Sequence, residues 1–256
     1  MAKKVLITGA SSGIGRDIAR VFDSYGCELI ITARREDRLA ELSHELKGNP
    51  RVIVGDISGS DGAKELYEMT KDENIDILVN NAGFGVWGDF SSTDLDRELD
   101  MIRLNIETMH TLFKLFLRDF KARGSGKILN TASMAGFAPG PYMAAYYASK
   151  AYVLRLTQSA AGELKEAGSP VTVSALCPGP VETEFNTVAG VHFATPSLSS
   201  EYVAKYAVTQ LVKGKTVIIP GTMMKVLAAA SKVLPDSFTA EVTSNIQRRK
   251  GNKKER

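Results

Sequence analysis

A tyrosine and a lysine stand four residues apart in the second half of the chain, as Tyr146 and Lys150. Residues at this spacing share one face of a helix, so the two side chains would be neighbours there. A free tyrosine has a pKa of about 10 and is a poor base at neutral pH, and a nearby ammonium group lowers that pKa. The spacing predicts a general acid–base pair that exchanges a proton with a carbonyl or an alcohol. An amphipathic helix with surface residues gives the same spacing, and Tyr147 also lies near Lys150.

A glycine-rich turn follows the first apolar segment and reads Thr8-Gly9-Ala10-Ser11-Ser12-Gly13-Ile14-Gly15. Its glycines allow a tight turn and a close backbone approach, and the N–H groups that begin the following helix can bind a pyrophosphate. The pattern therefore predicts a dinucleotide-binding turn. The alternative is an ordinary strand-to-helix turn that happens to be rich in glycine.

The second apolar segment ends in Ala33 and is followed by two arginines, Arg34 and Arg35. A site specific for NAD would carry an acidic residue near this point for the ribose 2′-hydroxyl. A guanidinium group instead matches a 2′-phosphate in charge and geometry, so the sequence favours NADP(H). After the third segment, Asp56 and Ile57 are candidates for contacts with the adenine. The alternatives are a solvated helix start at the arginines and a plain helix-entry aspartate at Asp56.

The elements that must position these residues alternate along the chain between short apolar strands and helical stretches. Continuous apolar runs are typical of strands buried on both faces, and the alternation predicts an α/β fold, a Rossmann-type doubly wound parallel sheet of about seven strands. The predicted strands are 5–8, 28–33, 51–55, 75–80, 127–131, 171–176 and 216–220. The predicted helices are 13–25, 36–47, 60–72, 95–121, 144–167 and 199–213. The irregular stretches 83–92 and 178–196 follow strand ends, where such sheets bind ligands.

With its signatures in this order, the sequence from residue 4 to 183 resembles the short-chain dehydrogenase/reductase family, in its single-domain branch with a Tyr-x-x-x-Lys motif. The resemblance is carried by the glycine turn, by Asn80-Asn81-Ala82-Gly83, by Leu104-Asn105-Ile106, by Thr131-Ala132-Ser133, by Tyr146 and Lys150, and by Pro178-Gly179-Pro180-Val181-Glu182-Thr183. The family register selects Tyr146 over Tyr147.

The resemblance implies the residues of the site. The catalytic residues would be Asn105 holding a relay water, Ser133 binding the substrate oxygen, Tyr146 as the acid–base and Lys150 as its partner on the nicotinamide ribose. The cofactor-binding residues would be Gly9, Ser11, Ser12, Gly13, Ile14, Gly15, Arg34, Arg35, Asp56, Ile57, Asn81, Ala82, Gly83, Tyr146, Lys150, Pro178, Gly179, Val181 and Thr183. The implied reaction transfers a hydride between NADPH and a carbonyl or alcohol. No metal is expected, because His44, His110 and His192 do not fall at ligand spacing.

The loops that would face the substrate are largely apolar. They comprise 84–87, 134–139 and 184–196, and they hold aromatic residues without a cluster of basic side chains. This composition predicts an apolar or bulky ketone or aldehyde, with 188–196 as a lid. The alternative is that the aromatic side chains only pack the loops onto the core.

Composition and charge limit the possible domain organisation and the possible partners. With 256 residues, 44% hydrophobic and 24% charged, the chain is predicted to form a single globular domain. It would comprise a core over 1–183, a substrate loop over 184–200 and a helical extension over 221–256. The net charge is +3, but residues 247–256 carry six basic side chains and one glutamate. The rest is slightly acidic, which argues against a nucleic-acid partner.

The expected partner is a small-molecule substrate, and the resemblance implies a homodimer or homotetramer. We expect a cytoplasmic enzyme because no signal peptide or apolar run of spanning length is present. The extension is expected to pack on the body or on another subunit. Two alternatives stay open: a regulatory or scaffold protein that binds NADP with weak catalysis, and a peripheral membrane enzyme that reduces lipid carbonyls with its basic end on an anionic surface.

Overall fold

A computed structural model describes residues 2–190 and 197–251 of the chain, with side chains up to Arg248. Seven strands of the described chain form one parallel sheet in the order β3-β2-β1-β4-β5-β6-β9. They are β1 Lys4–Thr8, β2 Glu28–Ala33, β3 Arg51–Val54, β4 Ile77–Asn80, β5 Lys127–Thr131, β6 Thr172–Leu176 and β9 Val217–Ile218. Two further strands, β7 Val181–Glu182 and β8 Leu198–Ser199, pair with each other in a separate small sheet.

Helices follow the strands along the chain. They are α1 Gly13–Ser24, α2 Glu36–Glu45, α3 Gly59–Thr70, α4 Leu95–Ile102, α5 Met109–Arg123, α6 Ala144–Glu166, α7 Phe185–Ala189, α8 Ser200–Val212, α9 Thr222–Ala230 and α10 Asp236–Gly251. None of these described helices combines the length and the apolar character that a membrane crossing requires.

The central strands are mostly apolar because helices cover both faces of the sheet. In β1, Val5 and Ile7 face one core cluster, which α1, α2 and α8 cover, while Leu6 faces a second cluster under α3, α5 and α6. Successive side chains of a strand point to opposite faces, so both sets of side chains are mostly apolar when helices cover both faces. The predicted doubly wound parallel sheet is confirmed.

The order of the strands determines where a ligand can bind. Strand β1 lies between β2 and β4, and the chain leaves β1 toward one face of the sheet and leaves β4 toward the other. The carboxyl ends of β1 and β4 therefore diverge and leave a crevice at the edge of the sheet. The glycine turn and the residues after β4 lie at that crevice.

Two sequence predictions need correction. The stretch 95–121 is not one regular α-helix, because a π-helical turn at Arg103–Thr108 separates α4 from α5. The stretch 178–196 is not irregular throughout, because β7 and α7 lie within it. Of the predicted lid, residues 191–196 lie outside the described residues.

Candidate active site

The carboxyl edge of the sheet borders a cavity of about 860 Å³. Of the residues that the sequence assigned to the site, all line this cavity except Gly15 and Asn105. The fold thus brings together residues from seven segments that are as far apart as Gly9 and Thr183. The two exceptions lie directly behind the cavity wall.

The glycine turn is packed too closely to accept side chains. Gly9 and Gly13 have φ values of +67° and +54°, which lie in the left-handed region that glycine adopts most readily. A Cβ atom on Gly13 would lie 2.9 Å from Cγ2 of Thr183, and one on Gly15 would lie 2.4 Å from the carbonyl oxygen of Gly9. Gly13 therefore lets the turn approach the 178–183 segment, while Gly15 lets the turn pack on its own helix.

Thr8 and Asn81 join the ends of β1, β4 and β5. The Thr8 hydroxyl oxygen accepts hydrogen bonds from the backbone N–H groups of Asn81 and Ala82, at 3.0 and 3.1 Å. The Asn81 amide donates to the carbonyl of Gly9 at 3.2 Å and accepts from the Thr131 hydroxyl at 3.3 Å. Thr8 was not assigned a role from the sequence, although a polar residue that ends an apolar strand before a glycine is a usable signal.

The two arginines after β2 differ in their surroundings. The Arg35 guanidinium binds the carboxylate of Glu184 at 2.7 Å and the hydroxyl groups of Ser11 and Ser12 at 3.1 and 2.9 Å. The side chain thus crosses from β2 to the glycine turn and to the start of α7. Arg34 is exposed at the cavity edge.

Asp56 forms a local turn with Ser58. Its carboxylate accepts hydrogen bonds from the Ser58 hydroxyl at 2.7 Å and from the Ser58 N–H at 3.0 Å. The pKa of Asp56 is held below its usual value, mainly by the hydrogen bond from the Ser58 hydroxyl and also by the charge of Arg34. Asp56 is therefore an ionised wall of the cavity, where it can accept a hydrogen bond.

The donor groups at this end of the cavity fit a phosphorylated nucleotide. Helix α1 starts at Gly13, the Ser12 side chain does not cap it, and its first turn holds no acidic residue. Unpaired N–H groups at a helix start favour an anion. The Arg35 guanidinium and two serine hydroxyls lie beside them. Gly9, Gly13 and these donors would hold the phosphates of a nicotinamide dinucleotide.

Tyr146 and Lys150 lie on the first turns of α6 and are both buried. Burial raises the pKa of Tyr146 above its ordinary value, and the nearby Ser133 hydroxyl opposes that rise in part. The Lys150 ammonium lies 5.8 Å from the centre of the Tyr146 ring and donates to the carbonyl of Thr131 at 2.8 Å. Burial lowers the pKa of Lys150 to about 8.

The expected lowering of the Tyr146 pKa by Lys150 is therefore wrong for this structure. The net shift of the Tyr146 pKa is upward, because burial removes the phenolate from water and this outweighs the opposing influence of Ser133. The Lys150 ammonium donates to the Thr131 carbonyl at the end of β5, and burial lowers the pKa of Lys150 itself. The spacing of the two residues is as predicted, but their burial decides the sign of the shift.

Asn105 lies behind the cavity, on the π-helical turn, and joins two elements. Its amide accepts from the N–H of Phe84 at 3.1 Å and donates to the carbonyl of Phe84 at 2.9 Å. It also donates to the Ser149 hydroxyl of α6 at 3.1 Å. A Cβ on Gly83 would lie 2.7 Å from the Asn105 oxygen. The side chain thus fixes the segment after β4 against the helix that carries Tyr146, and its part in a proton relay stays a prediction.

Tyr147 and Trp87 turn out to be contacts of the C-terminal helix. The Tyr147 hydroxyl accepts a hydrogen bond from the Gln247 amide at 2.7 Å. The Trp87 indole donates to the carbonyl of Gln247 at 3.3 Å and stacks on Tyr142. Trp87, which was expected to face the substrate, therefore does not line the main cavity; the neighbouring loop residues Phe84, Met134 and Phe185 do.

The comparison with known proteins agrees with this geometry. A family model described as short chain dehydrogenase matches residues 3–191. The chain belongs to the short-chain dehydrogenase family. It is an oxidoreductase, and the enzymes of its kind use a nicotinamide cofactor.

Individual relatives of this short-chain dehydrogenase cover most of its length. An oxidoreductase of Staphylococcus saprophyticus is 36% identical over 188 residues, which are 71% of this chain and 79% of the relative. A ketoacyl reductase of Nostoc is 31% identical and covers 92% of this chain, with 86% of the relative matched. A short-chain dehydrogenase of Sphingobium yanoikuyae, solved in complex with NADPH, aligns with a TM-score of 0.80 and 30% identity over 90% of this chain and 94% of that one.

Sequence reasoning missed one part of this dehydrogenase's cavity. The extension after β9 was expected to pack on the body, on another subunit or on a membrane. In the structure, α10 does contact the body through Pro139 and Tyr147, and side chains of α9 and α10 also line the cavity, among them Met223, Leu227, Phe238, Val242 and Ile246. A signal was present in the sequence, because several of these apolar residues recur at a spacing of four.

Proposed function

We propose that the protein is an NADPH-dependent reductase of an apolar ketone or aldehyde. The observation that carries the proposal is that Ser133, Tyr146 and Lys150 line one cavity together with the glycine turn. Two hydroxyl groups that meet in one cavity can hold a single carbonyl oxygen between them. The side chains that pack against Tyr146 are apolar, among them Phe185 and Met143.

The proposed roles follow from the state of each group. The pKa of Tyr146 lies above its ordinary value, so at neutral pH the phenol is protonated and can donate its proton to the substrate oxygen. Ser133 holds that oxygen by a second hydrogen bond. Lys150, within 5.8 Å of the Tyr146 ring, stabilises negative charge on the phenol after it has donated. When bound, the reduced nicotinamide supplies the hydride for the carbonyl carbon.

The preference for NADP(H) is supported by the charges at the end of β2. Arg34 and Arg35 both border the cavity, and a guanidinium matches a phosphate in charge and shape. Arg35 is already directed at Ser11 and Ser12 of the glycine turn. The relative from Sphingobium was solved with NADPH, which is consistent with this preference.

The apolar substrate is supported by the distribution of charge in the cavity. The charged residues that line the cavity are Arg34, Arg35, Asp56, Lys150 and Glu184. All of them except Lys150 lie at the nucleotide end. Phe84, Phe185 and Met143 pack in one apolar cluster with Tyr146, and apolar residues of α9 and α10 line the same cavity. The name of the Nostoc relative, a ketoacyl reductase, fits a substrate with a ketone on an apolar chain.

We also propose that the protein assembles as a homodimer or homotetramer through α4, α5 and α6. Leu95 is 67% exposed on α4, and Leu99, Ile102 and Tyr152 of the same helical layer are also exposed. An apolar patch of this kind is suited to a subunit interface. Sedimentation velocity of the purified protein tests the assembly, and a single monomer boundary at micromolar concentration contradicts it.

The proposed chemistry is tested by the variants Tyr146→Phe and Tyr147→Phe. We expect Tyr146→Phe to lower kcat for ketone reduction by about a hundred- to ten-thousand-fold, because the general acid is lost, while NADPH still binds. Tyr147→Phe removes the hydroxyl oxygen of the neighbouring tyrosine and is the matched control. It should keep the kcat for a short ketone within about threefold of wild type. A Tyr146→Phe enzyme with near-normal kcat contradicts the assignment. A wild-type enzyme that binds NADPH but oxidises it with no member of a ketone and aldehyde panel contradicts the proposed function.

A further inference from the structure

Four apolar residues recur at every fourth position along the C-terminal helix and the residue pair before it. They are Leu234, Phe238, Val242 and Ile246, and we call them the apolar stripe. Residues four apart lie on one helix face, and all four line the cavity. From Phe238 to Ile246 the stripe runs for eight residues, or about 12 Å at the rise of an α-helix.

The stripe is not packed against the body of the protein. Its four side chains are 39%, 51%, 42% and 44% exposed, in the order of the chain. An amphipathic helix normally buries its apolar face, and a row of half-exposed apolar side chains inside a cavity marks a surface that a ligand covers. Up to Arg248, the last residue with a described side chain, no charged residue of α9 or α10 lines the cavity.

Contacts outside the stripe hold α10 in place. Thr243 donates to the carbonyl of Pro139 at 2.7 Å, and the Gln247 amide donates to the Tyr147 hydroxyl at 2.7 Å. The Trp87 indole binds the carbonyl of Gln247, and the Arg248 guanidinium lies 5.7 Å from the centre of the Tyr142 ring. Because these polar and aromatic contacts fix the helix, the stripe itself is free to bind a substrate.

We infer that the apolar stripe binds the chain of an elongated apolar substrate whose carbonyl lies at Tyr146 and Ser133. This inference rests on the proposed function, since it places the carbonyl at the proposed acid. The substrate is then a ketone or aldehyde with an unbranched or fused apolar body of about 12 Å, the length of the stripe on α10, and without a charged group along that body. Short carbonyl compounds reach the same acid but leave the stripe uncovered.

The test is the dependence of turnover on chain length. For the wild-type enzyme, kcat/KM with NADPH is measured for the methyl ketones butanone, octanone and dodecanone, and we expect a rise of at least about tenfold from butanone to octanone, because each buried methylene adds to binding. Val242→Ser and Ile246→Ser should each lower kcat/KM for dodecanone by about fivefold and change that for butanone by less than about twofold. Asn245→Ser is the matched control, since Asn245 is an exposed residue of α10 outside the cavity.

A second readout does not need turnover. Trp87 is the single tryptophan of the chain and its indole is bonded to α10, so its fluorescence reports binding along that helix. Titration with dodecanone should change the fluorescence of the wild type and of Asn245→Ser, with an apparent Kd about fivefold higher in Val242→Ser. Butanone should give no change at the same concentrations.

The outcomes separate the inference from the proposed function. If the ketones are reduced but chain length has no effect, or if Val242→Ser and Asn245→Ser behave alike, the inference fails while the proposed function stands. If dodecanone binds through the stripe and no ketone is reduced, the inference holds and the proposed function fails. If Val242→Ser changes the sedimentation coefficient and not the chain-length dependence, the stripe is a contact between copies of the chain, and the inference fails.

Discussion

The guanidinium of Arg35 and the carboxylate of Glu184 form an ion pair of 2.7 Å between residues 149 positions apart in the chain. The pair connects the end of β2 with the start of α7, across the mouth of the nucleotide end of the cavity. Arg35 also binds Ser11 and Ser12 of the glycine turn. A phosphate at this position would share Arg35 with Glu184, so the ion pair and the cofactor are coupled.

Removing the arginines should affect NADPH far more than NADH. We expect Arg35→Ala to raise the Kd for NADPH roughly tenfold or more, because a charge-assisted hydrogen bond contributes about 1.5–3 kcal/mol, and Arg34→Ala to act in the same direction. The Kd for NADH should change by less than about threefold. Both are measured by nicotinamide fluorescence. Arg38→Ala is the control, since Arg38 pairs with Glu184 at 3.9 Å but does not line the cavity. If Arg35→Ala raised the Kd for NADPH and for NADH equally, the argument for a 2′-phosphate site would be wrong.

Removing the charge of Glu184 should have the opposite effect. Glu184→Gln frees Arg35 and removes a negative charge near the phosphate, so NADPH should bind about two- to fivefold more tightly. The change is small because an exposed ion pair contributes at most about 1 kcal/mol. Glu182→Gln, two residues away and bonded to Ser197, should leave the Kd unchanged. Weaker NADPH binding in Glu184→Gln would show that Glu184 orients Arg35 and does not compete with the cofactor.

A comparison of Gly13 with Gly26 separates the effect of backbone strain at positive φ from the effect of a steric clash of a new Cβ atom. Both have positive φ, but a Cβ on Gly26 meets no atom within 4 Å, whereas one on Gly13 lies 2.9 Å from Thr183. We expect Gly26→Ala to lower the free energy of unfolding by about 1–2 kcal/mol and to leave NADPH binding intact. Gly13→Ala should destabilise further and abolish NADPH binding. Urea denaturation and cofactor titration measure the two effects, and intact NADPH binding in Gly13→Ala would contradict the assigned packing.

The buried Lys150 predicts a dependence of stability on pH. Burial lowers its pKa from 10.5 to about 8, so between these values the folded state binds fewer protons than the unfolded state. Stability contributed by this residue therefore rises with pH across that window, by about 3 kcal/mol in full. The raised pKa values of Tyr146 and Cys177 act with the opposite sign at alkaline pH.

The difference in unfolding free energy between the wild type and Lys150→Met isolates this contribution, because the other groups cancel. Urea denaturation at pH 7.5 and pH 9.5 should show the wild type gaining stability relative to Lys150→Met as pH rises. A constant difference, or one that shrinks with pH, would mean that Lys150 keeps an ordinary pKa in the folded protein.

Local features of the sequence determined the sheet, because apolar runs with helices between them can form only strands that are buried on both faces. The residues at the nucleotide end of the cavity could also be predicted from the sequence. Gly9, Gly13 and the arginines after β2 act through the backbone and charge of consecutive residues, and consecutive residues keep their spacing in any fold. For the same reason, the four-residue spacing placed Lys150 beside Tyr146.

Tertiary structure alone decided what depends on residues distant in the chain. The direction of the Tyr146 pKa shift follows from burial by several elements, which a spacing cannot express. The partnership of Arg35 with Glu184 and the bonds of Trp87 and Tyr147 to Gln247 join segments about 100 or more positions apart. The spacing of the apolar stripe was visible in the sequence, but only the packing of α10 against Pro139 and Tyr147 shows that it faces the cavity. A periodic pattern defines a face of a helix, and the contacts of the other faces decide which way it points.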